Sequence, residues 1–177
     1  MPKKIRLEKA KQEQWQAFAR DIQRSFAPAV EAYYGPLKEA IPSDEEIKTA
    51  FADGDLDIFH ILWEEKGIGG AVVRTNTSVG RGSLELFFIL PEFHSLGLGL
   101  SAWQAIENSY PEIRGWETIT PYFEQRNIHF YVNKCGFHIV EFFNESHPRQ
   151  GLPKNSEGDP IPGTEAFFRF EKIIKEP

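Results

Sequence analysis

The chain has 177 residues, 41% of them hydrophobic and 14% aromatic, which suits one folded domain with a sizeable core and argues against global disorder. Its formal net charge of -6, with no long run of Lys or Arg, argues against a nucleic-acid binder. Cys135 is the only cysteine, so no internal disulfide forms, and no stretch is apolar enough for long enough to span a bilayer.

The first twelve residues are Lys-rich but lack the apolar run of a secretory signal, so the cytoplasm is the expected location. Ile5-Arg6-Leu7 alternates and reads as a short strand. Trp15, Phe18, Ile22 and Phe26 then recur at spacings of three and four, the apolar stripe of an amphipathic helix. Pro28 and then Gly35-Pro36 are expected to interrupt or end it. Ser43-Asp44-Glu45-Glu46 has the form of a capping box opening a second helix, with Ile47, Ala50 and Phe51 inward, and Asp53-Gly54-Asp55 stops it.

The period then changes. Residues 58–63 and 68–73 are β-rich runs joined by Glu64-Glu65-Lys66-Gly67, a hairpin signal. After a polar turn, Leu84 to Leu90 forms a third apolar run, so the three predict an antiparallel meander. Pro91 ends the third run. Leu98 to Tyr110 reads as a helix, Trp116 to Thr120 as a strand, Phe123 to Lys134 as a helix closed by Gly136, and Phe137 to Phe143 as a strand. Asn144 to Gly163 is dense in Pro and Gly and is expected to be a mobile loop or lid. Glu165 to Ile173 is a last strand. The order β-α-α-β-β-β-α-β-α-β-β predicts one α+β domain: a mixed sheet with an antiparallel meander, a βαβ part after it, and about four flanking helices.

Chemistry concentrates between Glu85 and Leu100. There a strand passes through a short loop into a helix start containing Gly97 and Gly99. Such a turn aims backbone N–H groups at one point, where the helix dipole adds positive charge, so it suits a pyrophosphate. The string Gly97-x-Gly99-x-x-Ala102, with Glu117 about 20 residues on, also fits a dinucleotide fingerprint. Against that rival, Pro91 to Leu96 separate strand from glycine, and a meander precedes the turn.

Two segments resemble the GNAT superfamily of acyl-CoA-dependent N-acyltransferases. That family carries Gln/Arg-x-x-Gly-x-Gly/Ala after a strand ending in Val/Ile-x-Pro. This chain has Ile89-Leu90-Pro91 and then His94-Ser95-Leu96-Gly97-Leu98-Gly99, with His94 in place of Gln or Arg. The family's second signature, Phe/Leu-Tyr-x-Lys-x-Gly-Phe, is matched by Phe130-Tyr131-Val132-Asn133-Lys134-Cys135-Gly136-Phe137, with the Lys shifted by one place. The resemblance implies an acetyl-CoA donor, bound where the third meander strand and the next strand splay apart. It gives the Ile89 amide to the thioester carbonyl, and the amides of Leu96, Gly97, Leu98, Gly99 and Leu100, with His94, to the pyrophosphate. It makes Tyr131 the acid that protonates the departing thiolate and Glu85 a base for the amine, directly or through water. Tyr33 and Tyr34, where the first two helices meet, fall in the region that lines the acceptor site in that family.

The residues also have plainer readings. Strict alternation puts Glu85 on the sheet face of Phe87 and Ile89, yet it could be a solvated residue on an open face. Tyr131, Tyr33 and Tyr34 could be core aromatics. His60, His129, His138 and His147 show no metal-ligand spacing, so no metal is expected. Cys135, at a helix end with no partner base, reads as buried packing. The expected function is therefore transfer of an acetyl group to a small-molecule or peptide amine, with homodimerisation open and no nucleic-acid or membrane partner. A CoA-binding module without transfer activity is the alternative, and a nucleotide-cofactor oxidoreductase the third.

Overall fold

A computed structural model describes residues 3–150 and 164–175. Its elements follow the order expected: β1 (Ile5–Lys9), α1 (Trp15–Tyr34), α2 (Asp44–Ala52), β2 (Leu56–Trp63), β3 (Lys66–Asn76), β4 (Arg81–Ile89), α3 (Leu98–Ser109), β5 (Gly115–Pro121), α4 (Gln125–His129), β6 (His138–Phe143) and β7 (Phe167–Ile173). The fold is α+β, with a seven-stranded mixed sheet in the order β1-β2-β3-β4-β5-β7-β6. β1 to β4 pair antiparallel, β4 and β5 pair parallel across the α3 crossover, and β7 lies antiparallel between β5 and β6.

Helices cover both faces. On one, Phe18 and Ile22 of α1 and Ile47 of α2 bury against Ile58, Val72 and Phe88 of the sheet. Phe18 meets Phe51 and Phe88 edge-on, with ring centroids 5.4 Å apart in each pair. On the other face, Trp103 and Ile106 of α3 pack on Ile61, Val73, Leu84 and Trp116, with Tyr131 and Phe137 completing the cluster.

Two departures from the sequence expectation have local causes. Pro28 does not end α1, which runs on to Tyr34. A helical Pro loses one N–H bond and crowds the preceding turn, at about 3 kcal/mol. The turn beyond it offsets this by burying Val30. The helix expected over Phe123 to Lys134 is broken into α4 and a π turn at Phe130–Lys134, where the Cys135 amide donates to the Phe130 carbonyl at 3.0 Å. Gly136 then takes φ +83°, and the Phe137 amide closes back on the Tyr131 carbonyl at 2.9 Å. Of the loop expected to act as a lid, Asn144 and His147 form a small bridge, and residues 151–163 lie outside the described residues.

The capping box of α2 forms as its sequence predicts. Ser43 Oγ accepts from the Glu46 amide at 3.1 Å, and Glu46 Oε2 accepts from the Ser43 amide at 2.7 Å. Loss of such a cap costs about 0.5–2 kcal/mol. Ser43→Ala should therefore lower the urea midpoint with an unchanged m-value. An unchanged midpoint would show that α2 is held by its buried face alone.

Candidate active site

The parallel ladder of β4 and β5 has four pairs, Arg81↔Gly115 to Leu84↔Thr118, and then the strands splay. At the last pair the Thr118 hydroxyl donates to the Leu84 carbonyl at 3.0 Å. On the other edge of β4, Val73 pairs with Leu84 but Val72 with Leu86, so Glu85 is an extra residue, a β-bulge. The bulge resets the side-chain alternation. Leu84, Phe87 and Ile89 join the α3 cluster, whereas Leu86 and Phe88 join the α1–α2 cluster.

Glu85 therefore does not share a face with Phe87 and Ile89, in contrast to the expectation from strict alternation. Its carboxylate lies 3.5 Å from Arg74 Nε, and Arg74 is also held by Asp53 at the end of α2, at 2.9 Å.

Backbone direction is set by the antiparallel ladder. The Leu90 amide donates to the Ile68 carbonyl of β3 at 2.8 Å. Alternation then turns the amides of Ile89 and Phe87 toward the splay. A cavity of about 240 Å³ occupies this wedge, between Leu84–Phe87 of β4, Thr118–Pro121 of β5 and the α1 residues Phe26 and Val30. Tyr131 also lines it, while only 5% exposed and ringed by Phe137 and Phe170. Burial pushes its phenol well above the usual tyrosine range, so it holds its proton at neutral pH, and its hydroxyl contacts that of Thr118.

The turn after β4 leads into α3 through a run of amide groups. A 3-10 turn at Pro91–Phe93 is followed by Ser95 at φ +65° and Gly97 at φ +73°. Gly97 is the N-cap of α3 and supplies no side-chain cap, and the first helical bond is Ser101 amide to Gly97 carbonyl at 3.4 Å. The amides of Leu98, Gly99 and Leu100 thus have no acceptor within the helix.

Gly99 serves packing as well. A Cβ there would lie 3.2 Å from the Phe130 ring, which in turn stacks on Phe87 at 5.8 Å. Both ring nitrogens of His94 are engaged within the protein: Nε2 donates to the Ile89 carbonyl at 2.6 Å, and Nδ1 accepts from Arg126 Nη1 at 2.5 Å. Burial lowers the His94 pKa, which keeps the ring neutral. Arg126, 32 residues on, is the cation this contact brings to the turn.

The sequence profile of the acetyltransferase (GNAT) family matches residues 15–137, from the start of α1 through the wedge to Phe137. The chain belongs to the GNAT acetyltransferases. It is 48% identical to the uncharacterized protein YrkN of Bacillus subtilis over 98% of this chain and 95% of that one. The fold is similar to an acetyltransferase from Thermus thermophilus, with a TM-score of 0.68 at 14% identity over 96% of this chain and 97% of that one. It is also similar to the ribosomal-protein-S18-alanine N-acetyltransferase of Escherichia coli, with a TM-score of 0.67 at 12% identity over 98% and 96%. A third similar structure is the PaiA N-acetyltransferase of Thermoplasma acidophilum in complex with coenzyme A, with a TM-score of 0.67 at 14% identity over 96% and 99%.

In this GNAT chain the remaining predicted residues fall around the wedge or away from it. Tyr33, 64% exposed, stacks on Phe123 at 5.1 Å, and Tyr34 packs edge-on to the same ring while its hydroxyl donates to Glu165. Phe123 lines the cavity, so both tyrosines sit at its rim. Leu98 is buried and Leu96 is 43% exposed. Glu117, the acidic partner of the dinucleotide reading, pairs with Arg169 on β7 at 3.2 Å. Cys135 is buried, and burial pushes its thiol up to about 12.

Glu124 escaped the sequence reading. It is a half-buried carboxylate on the cavity wall, and burial raises its pKa. Only the fold brings it opposite β4, so no local signal marks it.

Gly99→Val would drive a branched side chain into Phe130 and displace the ring that touches Phe87. The variant should stay folded by circular dichroism and lose affinity for CoA in calorimetry. Wild-type affinity would show that the turn tolerates a side chain and is not shaped by this contact.

Proposed function

We propose that the protein transfers an acetyl group from acetyl-CoA to a primary amine by direct attack on the thioester, as a single-domain enzyme of the cytoplasm. The observation that carries this is the wedge: β4 and β5 part after Leu84 and Thr118, a cavity lined by Phe87 and Tyr131 fills the gap, and β4 leads on to the uncapped, amide-rich start of α3. The PaiA enzyme solved with coenzyme A has the same overall fold, which supports this donor.

On this reading the amides of Leu96 to Leu100 hold the pyrophosphate at the positive end of α3. The Ile89 amide holds the thioester carbonyl oxygen and stabilises the charge that develops on it, the kind of term that contributes most in acyl transfer. Tyr131, which keeps its proton at neutral pH, hands it to the departing sulfur. The acceptor must be neutral to attack, and an unperturbed lysine-like amine has a pKa of about 10.4. A carboxylate on the wall can take that proton, directly or through water, and Glu85 is one such group. The wall also carries Glu46 and Glu124 among apolar side chains, which favours a cationic acceptor with an apolar portion. The tyrosines of the rim, Tyr33 and Tyr34, would meet the part of the acceptor that extends outward.

The deciding experiment is a panel of small amines and peptides incubated with acetyl-CoA while free thiol is followed. Amine-dependent thiol release supports the reading. CoA binding with no release on any amine would leave a CoA-binding module instead. In a melting experiment acetyl-CoA should stabilise the fold more than NAD or ATP, since a ligand at 100 times its Kd adds about 2.7 kcal/mol. Equal stabilisation by NAD would count against the acyltransferase.

Tyr131→Phe keeps the ring and removes the proton. It should lower kcat by ~10²–10⁴-fold and leave acetyl-CoA affinity unchanged. Wild-type turnover in that variant would reduce Tyr131 to a packing residue.

A further inference from the structure

We propose that Glu124 is the group that takes the proton from the acceptor ammonium, a step that rests on the acetyl-transfer reading above. Three carboxylates line the cavity: Glu46, Glu85 and Glu124. Glu46 is committed to the capping box, with Oε2 on the Ser43 amide at 2.7 Å. Glu85 lies 3.5 Å from Arg74, so its carboxylate is engaged in an ion pair. Glu124 differs from both. Among the described residues no Lys or Arg nitrogen lies within ion-pair distance of it, and its one hydrogen bond is neutral, from Asn127 Nδ2 at 3.0 Å. Arg126, two residues on, lends it some positive potential, but that guanidinium is turned to His94.

Its place in the chain is informative. Glu124 is the N-cap of α4, where a carboxylate ordinarily accepts from backbone amides of the first turn. Here it makes no such bond. It lines the cavity together with Tyr131, Thr118 and Phe87. Being half-buried, it loses solvation of its charged form, and its pKa moves up toward neutrality. A base so placed is stronger than an exposed carboxylate and still ionised once the pH exceeds that raised value.

In the proposed reaction the ammonium gives one proton to the Glu124 carboxylate, which later passes it to solvent. The freed lone pair forms the N–C bond at the thioester carbon, and the carbonyl electrons move to oxygen, toward the Ile89 amide. As the carbonyl re-forms, the C–S bond breaks and its electron pair leaves on sulfur. Tyr131 protonates that sulfur and recovers its proton from the nitrogen. The products are the N-acetyl amide, CoA thiol and one proton.

The test compares wild type with Glu124→Gln and Glu124→Ala, using the best amine of the panel and following thiol release from acidic through alkaline pH. Arg126 and Tyr131 are the charged and titratable groups whose interaction with Glu124 is felt, and Glu46 and Glu85 share its cavity. Folding should survive. A carboxylate with a raised folded-state pKa stabilises the fold at low pH, and that contribution is gone once pH rises through the raised value, so a neutral amide costs nothing near neutrality.

The expected result is a fall in kcat/KM of ~10²–10⁴-fold. The acidic limb of wild type should vanish, so that the remaining rate tracks the amine's own deprotonation. Acetyl-CoA affinity should be unchanged, and added formate should partly restore the Ala variant. Wild-type rate and acidic limb in Glu124→Gln would overturn the assignment. So would a lowered rate with the pH profile intact and no rescue, which marks a structural role. If wild type turns over no amine at all, the acetyl-transfer reading fails and this assignment falls with it. If wild type turns over, only Glu124 is in question.

Discussion

The site depends on a ladder that stops. β4 and β5 pair over only four residues, and beyond Leu84 and Thr118 they diverge. Parallel strands in mid-sheet would normally continue, since each unpaired buried N–H or C=O group has a cost. Two features end the pairing here. The Thr118 hydroxyl takes the Leu84 carbonyl, so a side chain occupies the acceptor at the last rung. The bulge at Glu85 then bends β4 and increases its local twist away from β5. Past the bulge, β4 is an edge strand in the middle of a sheet: its pairing with β5 has ended, and Phe87 lines a cavity instead. A ligand bearing a carbonyl can bond there as a strand would.

The wedge is held open by aromatic packing. Gly99 admits the Phe130 ring against α3, and Phe130 stacks on Phe87 of β4. The helix start, the strand and the segment bearing Tyr131 are therefore packed against one another. That segment is a π turn, and π turns are frequent where a side chain must be aimed at a site. Its origin is visible in the chain. One residue more separates Tyr131 from Gly136 than in the spacing Phe/Leu-Tyr-x-Lys-x-Gly-Phe. A bond from the Cys135 amide to the Phe130 carbonyl absorbs it.

The order of elements was legible because periodicity is local. The stripe from Trp15 to Phe26, the capping box at Ser43 and the runs of the meander each report on a few consecutive residues. The glycine-containing start of α3 and the helical segment that brings Tyr131 to the cavity wall were marked by the two signatures, while the roles expected of them belong to the proposed reaction. What escaped was set by contacts between distant residues. Pro28 reads as a breaker until the burial of Val30 is known. Nothing in Leu84-Glu85-Leu86-Phe87 marks the extra residue, because a bulge depends on β3 as much as on β4. His94 reads as a phosphate donor until its ring is seen bonded to Ile89 and Arg126. Glu124 sits in an ordinary polar stretch, and only the divergence of β5 from β4 places it on the cavity wall.

The start of α4 then acquires a meaning beyond its short length. Glu124 and Arg126 are two residues apart and serve different neighbours: Glu124 lines the cavity, and Arg126 bonds His94 of the turn before α3. An extended α-helix would have tied Glu124 to its own first amides as a cap. Instead the carboxylate bonds the Asn127 side chain. On the proposed reaction the two charges match what each end receives, an anionic phosphate by Arg126 and a cationic amine by Glu124. His94 keeps them apart. By accepting from Arg126 through Nδ1 and donating to the Ile89 carbonyl through Nε2, it draws the guanidinium toward the turn and away from the carboxylate. A protonated His94 would lose that acceptor, and burial keeps the ring neutral. The histidine that departs from the usual Gln or Arg is thus consistent with the rest of the site: the cation has moved to α4, and the ring now positions it.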